Sequence, residues 1–397
     1  MAPSRTVIIA GAGIGGLAAA LAIAQRGFRV SLFEQAQRLQ ETGAGIQLSP
    51  NASRILIALG LEPQLRKYIV APEELRVMNA HSGRVLARAP LAAITEKRYG
   101  APYWVIHRGD LQSVLVDAVH ASPDITLHLG TRVADFALHQ NGVTISTVSS
   151  QRTGEERGMA LIGADGLWSS LRTRLGHRGE PRFAHHTAWR ALAVAETVEG
   201  ESRIAAVNLW LGRHAHIVHY PVRSGTLINI VAIIRDDWQE PEWSAPGDRA
   251  EILARYRAGM WPAETRALLA APQTWRKWAL YDRPPISPWG RGSVTLLGDA
   301  AHPTLPYLAQ GAAAAIEDAA VLARRLAEMP GDASGAVREY ESERYRRTAR
   351  IQRAARRNGR IYHMGGAEAF LRTLALIAMG GNRMLRRYDW LYGWKPL

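Results

Sequence analysis

A chain of 397 residues, 47% of them hydrophobic, buries one large core or two moderate ones. It has no cysteine, which excludes disulfides, Cys-ligated zinc and thiol nucleophiles and fits a reducing, cytoplasmic setting. The net charge of +14 raises nucleic acid or a membrane as partners. Much of it, however, sits in one segment: Arg344, Arg346, Arg347, Arg350, Arg353, Arg356, Arg357 and Arg360. These positions fall all around a helix without interleaved aromatics. A solvated or subunit-facing helix is the expectation, with an anionic partner or the steering of an anionic substrate as the alternative. Neither nucleic acid nor membrane is expected. Met1 to Arg5 shows no signal-peptide pattern, and apolar runs such as Leu371 to Met379 are too short to span a bilayer.

Thr6 to Ala10 is a β-branched apolar run, followed by Gly11-Ala12-Gly13-Ile14-Gly15-Gly16, a helical stretch from Leu17 to Arg26, and a strand from Phe28 to Phe33 closed by Glu34. This is the strand, Gly-x-Gly-x-x-Gly, helix, strand, acid order of a dinucleotide-binding unit. Gly11 makes the tight turn, Gly13 admits a pyrophosphate, Gly16 lets helix and strand approach, and Glu34 suits a ribose hydroxyl. The pattern does not choose between FAD and NAD. Gly43-Ala44-Gly45 with Gln47 reads as a loop close to a ligand, and Ala52 to Leu59 as a helix. Leu75 to Leu86 alternates around His81-Ser82-Gly83, a hairpin signal. Tyr103 to Ile106 leads through His107 and Arg108 into a helix ending near Val119. Ile125 to Leu129 and Val143 to Val148 read as strands flanking Thr131, Arg132 and Val133.

A further strand ends at Asp165-Gly166. From 183 to 285 tryptophans recur (Trp189, Trp210, Trp238, Trp243, Trp261, Trp275, Trp278), and alternating strands replace the helix-strand units. In Arg213 to Pro221, period two puts His214, His216, Val218 and Tyr220 on one face and Ile217 and His219 on the other. Two imidazoles and a phenol on one face make a polar pocket or part of a metal site. The metal reading lacks a third ligand and carboxylate support, so no metal is expected. Arg190 suits a substrate carboxylate, the cofactor or a structural role. Ser293 to Leu297 is a short buried strand that delivers Gly298-Asp299-Ala300-Ala301-His302-Pro303, then a Pro/Gly loop to Gly311 and a helix from Ala312 to Leu326. In an open α/β sheet that edge binds ligands. A long helix from Ala336 to Arg360 follows.

The three elements Gly11–Gly16, Asp165–Gly166 and Gly298–Pro303, in this order, resemble the motifs of single-component FAD-dependent monooxygenases, the group A aromatic hydroxylases. The resemblance covers essentially the whole chain. It implies an α/β fold: a Rossmann-like, three-layer FAD-binding domain (1–70, 100–175 and 286–335) interleaved with a mostly antiparallel substrate domain (71–99 and 176–285), plus C-terminal helices over 336–397. It places Gln47 near flavin and substrate, Arg108 on the flavin's phosphate or ribityl chain, backbone near Val133 at the adenine, and Asp165 at the FAD. It sets Asp299 on the ribityl hydroxyls, His302 and Pro303 beside the ring, and Gly311 at its electron-rich edge. It also marks His216 and Tyr220 as a His-x-x-x-Tyr substrate pair, His216 drawing a proton from a ring hydroxyl and Tyr220 orienting it or passing the proton on.

The implied reaction uses NADH or NADPH, O2 and a flavin C4a-hydroperoxide to hydroxylate a small hydroxylated aromatic acid. Departures bear on the substrate. Relatives acting on 3-hydroxybenzoate commonly carry Gln at Pro306, and hydroxynicotinate hydroxylases tend to carry His at Gln47 and Tyr307. The Pro306-Tyr307 pair is closer to salicylate hydroxylase-like members. Lys395 stands where the family's tail commonly has an acid. A homodimer is the family habit. The alternatives are a larger, N-heteroaromatic or polycyclic substrate, or a flavin-binding redox sensor without turnover.

Overall fold

The computed structural model describes residues 5–39, 44–150, 152–198, 200–240, 244–257 and 259–396. Gly43 and Trp243, singled out above, lie outside the described residues.

The β-branched and apolar runs form a five-stranded parallel sheet in the spatial order Val294–Leu296, Ala160–Gly163, Thr6–Ala10, Arg29–Phe33, Ile125–His128. Helix Ile14–Ala24 packs between Arg108–Ala121 and Gly311–Glu328 over this sheet. Val7, Ile8, Ile9, Leu17, Ile162 and Leu296 are wholly buried there, as expected for strands with no solvent face. The segment at Val133 departs from the sequence expectation. Thr131–His139 is itself a strand, paired with Gly142–Ser149, and Thr153–Gly158 completes an antiparallel three-stranded sheet.

The tryptophan-rich region builds an eight-stranded sheet, ordered Ser244–Gly247, Trp275–Asp282, Arg182–Val194, Leu227–Arg235, Ala215–Val222, Ala206–Gly212, Glu74–Asn79, Val85–Pro90. Its pairings are antiparallel except that of Ala206–Gly212 with Glu74–Asn79. The hairpin predicted near 75–86 thus extends this sheet's far edge. One face is dry: Trp189, Trp210, Ile217, Ile228, Ile230 and Trp275 pack with Tyr256 and Trp261 from the segment after Arg249. The other face carries Ala188, Arg190, His216, Val218, Tyr220, Asn229 and Val231, the alternate residues of three adjacent strands.

Two long helices follow, Ala333–Tyr362 and Gly366–Arg386. The basic segment is not the uniform surface that its composition predicts. Arg344 is wholly buried, and Arg347 and Arg356 are half-buried in ion pairs with Glu317 and Asp282. The exposed arginines, Arg346, Arg350, Arg353, Arg357 and Arg360, recur every three or four residues and so form one stripe.

Candidate functional site

The parallel sheet brings the sequence motifs to one edge. The strands ending at Leu296, Gly163, Ala10 and Phe33 lie side by side, so their carboxyl ends present Asp299, Asp165, the Gly11–Gly16 turn and Glu34 in a row. Gly11 has φ +109°, and its amide donates to the Phe33 carbonyl at 2.7 Å. A Cβ on Gly16 would stand 1.9 Å from the Gly11 carbonyl oxygen, so this turn closes only around glycine. At Gly13, by contrast, a Cβ would meet nothing within 4 Å: the start of the helix is open to a ligand. Glu34 is held by the Ala12 amide on Oε2 and the Ala36 amide on Oε1, both at 2.9 Å. Each oxygen keeps a second lone pair for a hydroxyl donor.

Around this edge several polar groups lack partners. Asp165 Oδ2 accepts from the Leu171 amide at 3.2 Å in the first turn of helix Ser170–Arg174, which Ser169 caps, while its Oδ1 is buried without a hydrogen bond. Burial pushes the Asp165 carboxyl up, against hydrogen bonds from Ser169 and Leu171. Asp299 sits on the one-turn helix Gly298–Ala300 at the end of its strand. Asp299 is exposed at the sheet edge, yet the protein mass around it raises its carboxyl by desolvation, while His302 and Arg108 act to lower it. Arg108 begins helix Arg108–Ala121; burial presses against its charge and Asp299 supports it. Among the described residues neither side chain makes a hydrogen bond or ion pair, so cation and carboxylate feel each other across a gap. A polyol or phosphate chain suits such a gap. Gly311 heads its helix with Asp299 Oδ1 3.9 Å from where a Cβ would stand. Val133 is buried in the core beside a bulge that breaks the ladder between Val133 and Asp135.

His302 does not present its ring to the cleft, contrary to the expectation. It is buried and turned inward onto Asp318 Oδ2 at 2.6 Å. Asp318 also accepts from the Gly298 amide at 3.0 Å and from Arg344 Nε at 2.6 Å. Burial would raise this carboxyl, but His302 and Arg344 hold it down at about 2. Arg344 continues to Glu317 at 2.7 Å, and Glu317 to Arg347 and Asn51, each at 2.6 Å. The basic helix therefore fixes the Asp299 turn from behind. Pro303 is buried, its carbonyl taken by Gln352 Nε2 at 2.9 Å.

The second sheet supplies the opposing wall. In register, Arg190 pairs with Val231 and Val231 with Val218; the flanking rows end in His216 and Tyr220. Val218 and Val231 are half-exposed although their neighbours His216, Tyr220, Asn229 and Ile233 are buried. The two valines thus floor a hollow in the middle of the face. Tyr220 and His216 stand at its two ends, roughly 13 Å apart along the strand, and so do not touch each other.

At the Tyr220 end, the Gly45 amide donates to Asn229 Oδ1 at 2.6 Å, and a Cβ on Gly45 would lie 2.6 Å from the Tyr220 ring. Gln47 Oε1 accepts from Tyr103 Oη at 2.6 Å. Burial pushes the Tyr220 phenol up; Arg190 and a hydrogen bond with Gln47 oppose this. Arg190 lies 5.0 Å over the Trp278 ring, and its Nε is buried without a hydrogen bond. Burial and Arg108 press against its charge. Among the described residues no carboxylate pairs with it.

The predicted pairing of His214 with His216 fails. His214 is exposed at the turn before the strand, with φ +58°. The ring that meets His216 comes from elsewhere: His216 Nδ1 lies 2.7 Å from His363 Nε2, and His363 Nδ1 lies 2.9 Å from His186 Nε2. His363 caps the long helix and His186 belongs to Arg182–Val194, so sequence spacing carries no sign of this triad. Tyr307 and Tyr362 enclose it, with ring centroids 5.6 and 5.3 Å from that of His216. Pro306 starts the one-turn helix that carries Tyr307. Ile217 and His219 face the dry core as predicted, His219 Nε2 accepting from Trp210 Nε1 at 3.0 Å. Among the described residues there is no cluster that would hold a metal ion.

The sheet edge and the opposed wall define a flavoprotein of the hydroxylase type, and comparison with known proteins agrees. The FAD binding domain family matches residues 4–355, and the chain belongs to that family. It is 38% identical to 3-hydroxybenzoate 6-hydroxylase of Klebsiella oxytoca over 396 residues, covering 100% of this chain and 98% of that one. Its structure resembles Klebsiella pneumoniae HpxO complexed with FAD and uric acid, with a TM-score of 0.86, 27% identity, and coverage of 98% and 96%. It also resembles a salicylate hydroxylase substrate complex, with a TM-score of 0.82, 27% identity, and coverage of 99% and 96%. No helix among the described residues is long and apolar enough to cross a membrane.

Proposed function

We propose that this chain is an NAD(P)H- and O2-dependent FAD monooxygenase that hydroxylates a single-ring hydroxylated aromatic acid. The observation that carries this reading is Arg190: a cation with a buried, unpaired Nε, beside an apolar floor of Val218 and Val231. Arg190 is half-buried and has no carboxylate partner among the described residues, so its guanidinium is left for an anion that arrives with the ligand. A benzoate-like acid supplies both the carboxylate and a flat apolar ring. The floor is two valines wide, which suits one ring better than a polycycle.

In this reading Gly11, Gly13, Gly16 and Glu34 hold the adenosine and pyrophosphate of FAD, with backbone near Val133 at the adenine. Arg108, Asp165, Asp299, Pro303 and Gly311 hold the remainder. Bound there, the flavin would supply the redox chemistry by which nicotinamide and O2 hydroxylate the ring. The chain's own residues orient the acid through Arg190, set its edge against Gln47, Tyr220, Pro306 and Tyr307, and exclude water. His216 takes the proton of the ring hydroxyl, which makes the ring electron-rich. The sheet-forming segments 71–99 and 176–285 serve as the substrate domain, and 1–70, 100–175 and 286–335 as the FAD domain.

The test is oxidation of NADH and of NADPH by the purified yellow protein, with hydrogen peroxide followed in parallel. Salicylate, 3- and 4-hydroxybenzoate and 6-hydroxynicotinate are compared. One acid should stimulate oxidation strongly with little peroxide. Stimulation matched by stoichiometric peroxide would mark a non-substrate effector. No stimulation by any acid would overturn the proposal in favour of a larger substrate or a flavoprotein without turnover.

A further inference from the structure

The segment from Asp389 to Trp394 belongs to neither wall of the site, yet it is tied down at several points. Leu391 is wholly buried against Leu308, Ala314 and Ile351. The carbonyls of Trp390 and Leu391 each accept from Arg347 at 2.9 Å. The Trp394 ring lies 4.9 Å from the Arg347 guanidinium and 5.1 Å from that of Arg344, and the Trp390 ring 3.9 Å from that of Arg350. Carbonyl oxygens and ring faces both favour a cation, so the segment holds the planar fork of Arg347 in one orientation.

The other side of that fork grips Glu317. Nε and one terminal nitrogen donate to its two oxygens, each at 2.6 Å. Glu317 is wholly buried. Burial acts to raise its carboxyl, but Arg344, Arg347 and Asn51 hold it down, so it stays ionised near pH 7. A buried carboxylate depends on each of its donors, because the loss of one leaves charge without compensation.

Two arms leave Glu317 for the flavin edge. One passes through Arg344 and Asp318 to the Gly298 amide and His302, on either side of Asp299. The other passes through Asn51 Nδ2, which donates to Glu317 at 2.6 Å and to Gln310 Oε1 at 3.0 Å. Gln310 Nε2 donates to Ser49 Oγ at 2.9 Å, and Ser49 Oγ donates to Asn51 Oδ1 at 2.6 Å, which closes a buried ring. Gln310 precedes Gly311, and Ser49 follows the strand Gly45–Leu48 that carries Gln47. A third contact is direct: Tyr392 meets Tyr103, ring centroids 5.9 Å apart, and Tyr103 donates to Gln47. Buried polar networks of this kind hold their members in one geometry.

We infer that the segment Asp389 to Trp394 is a strap whose docking on Arg347 sets how tightly the protein holds FAD. The inference rests on Asp299, Gly311 and Gln47 lining the flavin, as in the proposed function, and not on which acid is hydroxylated. With the strap docked, Arg347 and Arg344 share Glu317 and both arms are taut. With the strap released, Arg347 turns to water, Glu317 is left to Arg344, and the turns around the flavin relax. Arg347, Glu317 and Asn51 touch no reacting atom; they are positioning residues.

The test dilutes the yellow holoenzyme and follows the rise in flavin fluorescence as FAD leaves, with the melting temperature measured on the same samples. Arg347→Met should speed release by about tenfold or more, the size of one lost charge-assisted contact. Arg347→Lys should recover part of this, because a point charge reaches Glu317 but does not fork to both carbonyls. Trp394→Leu should speed release by about two- to fivefold. Trp394 is half-buried, so its variant keeps the test open if Arg347→Met does not fold. Arg356→Met is the control: it removes another half-buried ion pair of the same helix, with Asp282 on the second sheet. It should lower the melting temperature and leave release at the wild-type rate. Wild-type release from folded Arg347→Met and Trp394→Leu would overturn the strap. So would equally fast release from Arg356→Met at a matched fall in melting temperature, which would mark a general loss of stability. A wild type that holds no FAD would overturn the proposed function and the strap together.

Discussion

Arg190 shows how one side chain narrows a function. A half-buried guanidinium without a carboxylate partner is free to take a ligand's anion, and the sequence left carboxylate, cofactor and structural roles open. Its surroundings support the carboxylate role: Trp278 stacks on it, Arg108 opposes it, and no described carboxylate answers it. Arg190→Met should therefore weaken binding of the aromatic acid by about 10- to 100-fold, the equivalent of one charged hydrogen-bonded contact, while FAD stays bound. Titration of the acid against the flavin spectrum measures this, and Arg190→Lys should recover part of the loss. Unchanged affinity in Arg190→Met would return the residue to a structural role. Gly45 is the complementary case. Its missing side chain is what lets Tyr220 and Asn229 close on the loop, a demand visible only once the strands are placed.

At the scale of elements, strand periodicity was a dependable guide and helix surface was not. Alternation in Ala215–Val222 put His216, Val218 and Tyr220 on the correct side, because period two is a property of the strand itself. The arginine-rich helix misled because the partners of Arg344, Arg347 and Arg356 (Asp318, Glu317 and Asp282) come from other elements, so composition alone could not say which arginines turn inward. The same holds for His302, which looks like a cofactor contact in the motif and instead braces Asp318. The histidine triad joins two strands to a helix end and makes stability depend on pH. His216 and His363 stay neutral down to about 3 and about 2, against an ordinary value of 6.5 in the unfolded chain. Below 6.5 the unfolded state binds protons that the fold refuses. The stability these rings lend is therefore complete above that pH and lost as pH falls towards 3. Each ring contributes a slope approaching about 1.4 kcal/mol per pH unit. Urea unfolding between about pH 7.5 and 5.5 should show this loss, with a shallower slope in His363→Gln. Parallel slopes in variant and wild type would contradict the buried, neutral assignment.

For the molecule as a whole, the parallel sheet and its ligand edge were legible because each motif is local: a strand, a turn that needs glycine or an acid, and a helix start. Their order along the chain becomes a row in space through the sheet order. The eight-stranded sheet was legible only in kind, since its strand order depends on long-range pairing such as Glu74–Asn79 with Ala206–Gly212. Substrate identity was least legible. The Pro306-Tyr307 pair leans towards salicylate hydroxylases, whereas the similarity described above includes a 3-hydroxybenzoate 6-hydroxylase. In the proposed reaction the two sheets close on a ring and oxygen from O2 enters it. Turnover under 18O-labelled O2, with the acid that best stimulates nicotinamide oxidation, tests this directly. One labelled oxygen should appear in the hydroxylated product for each nicotinamide consumed. Label found only in hydrogen peroxide, or a new hydroxyl derived from water, would contradict it.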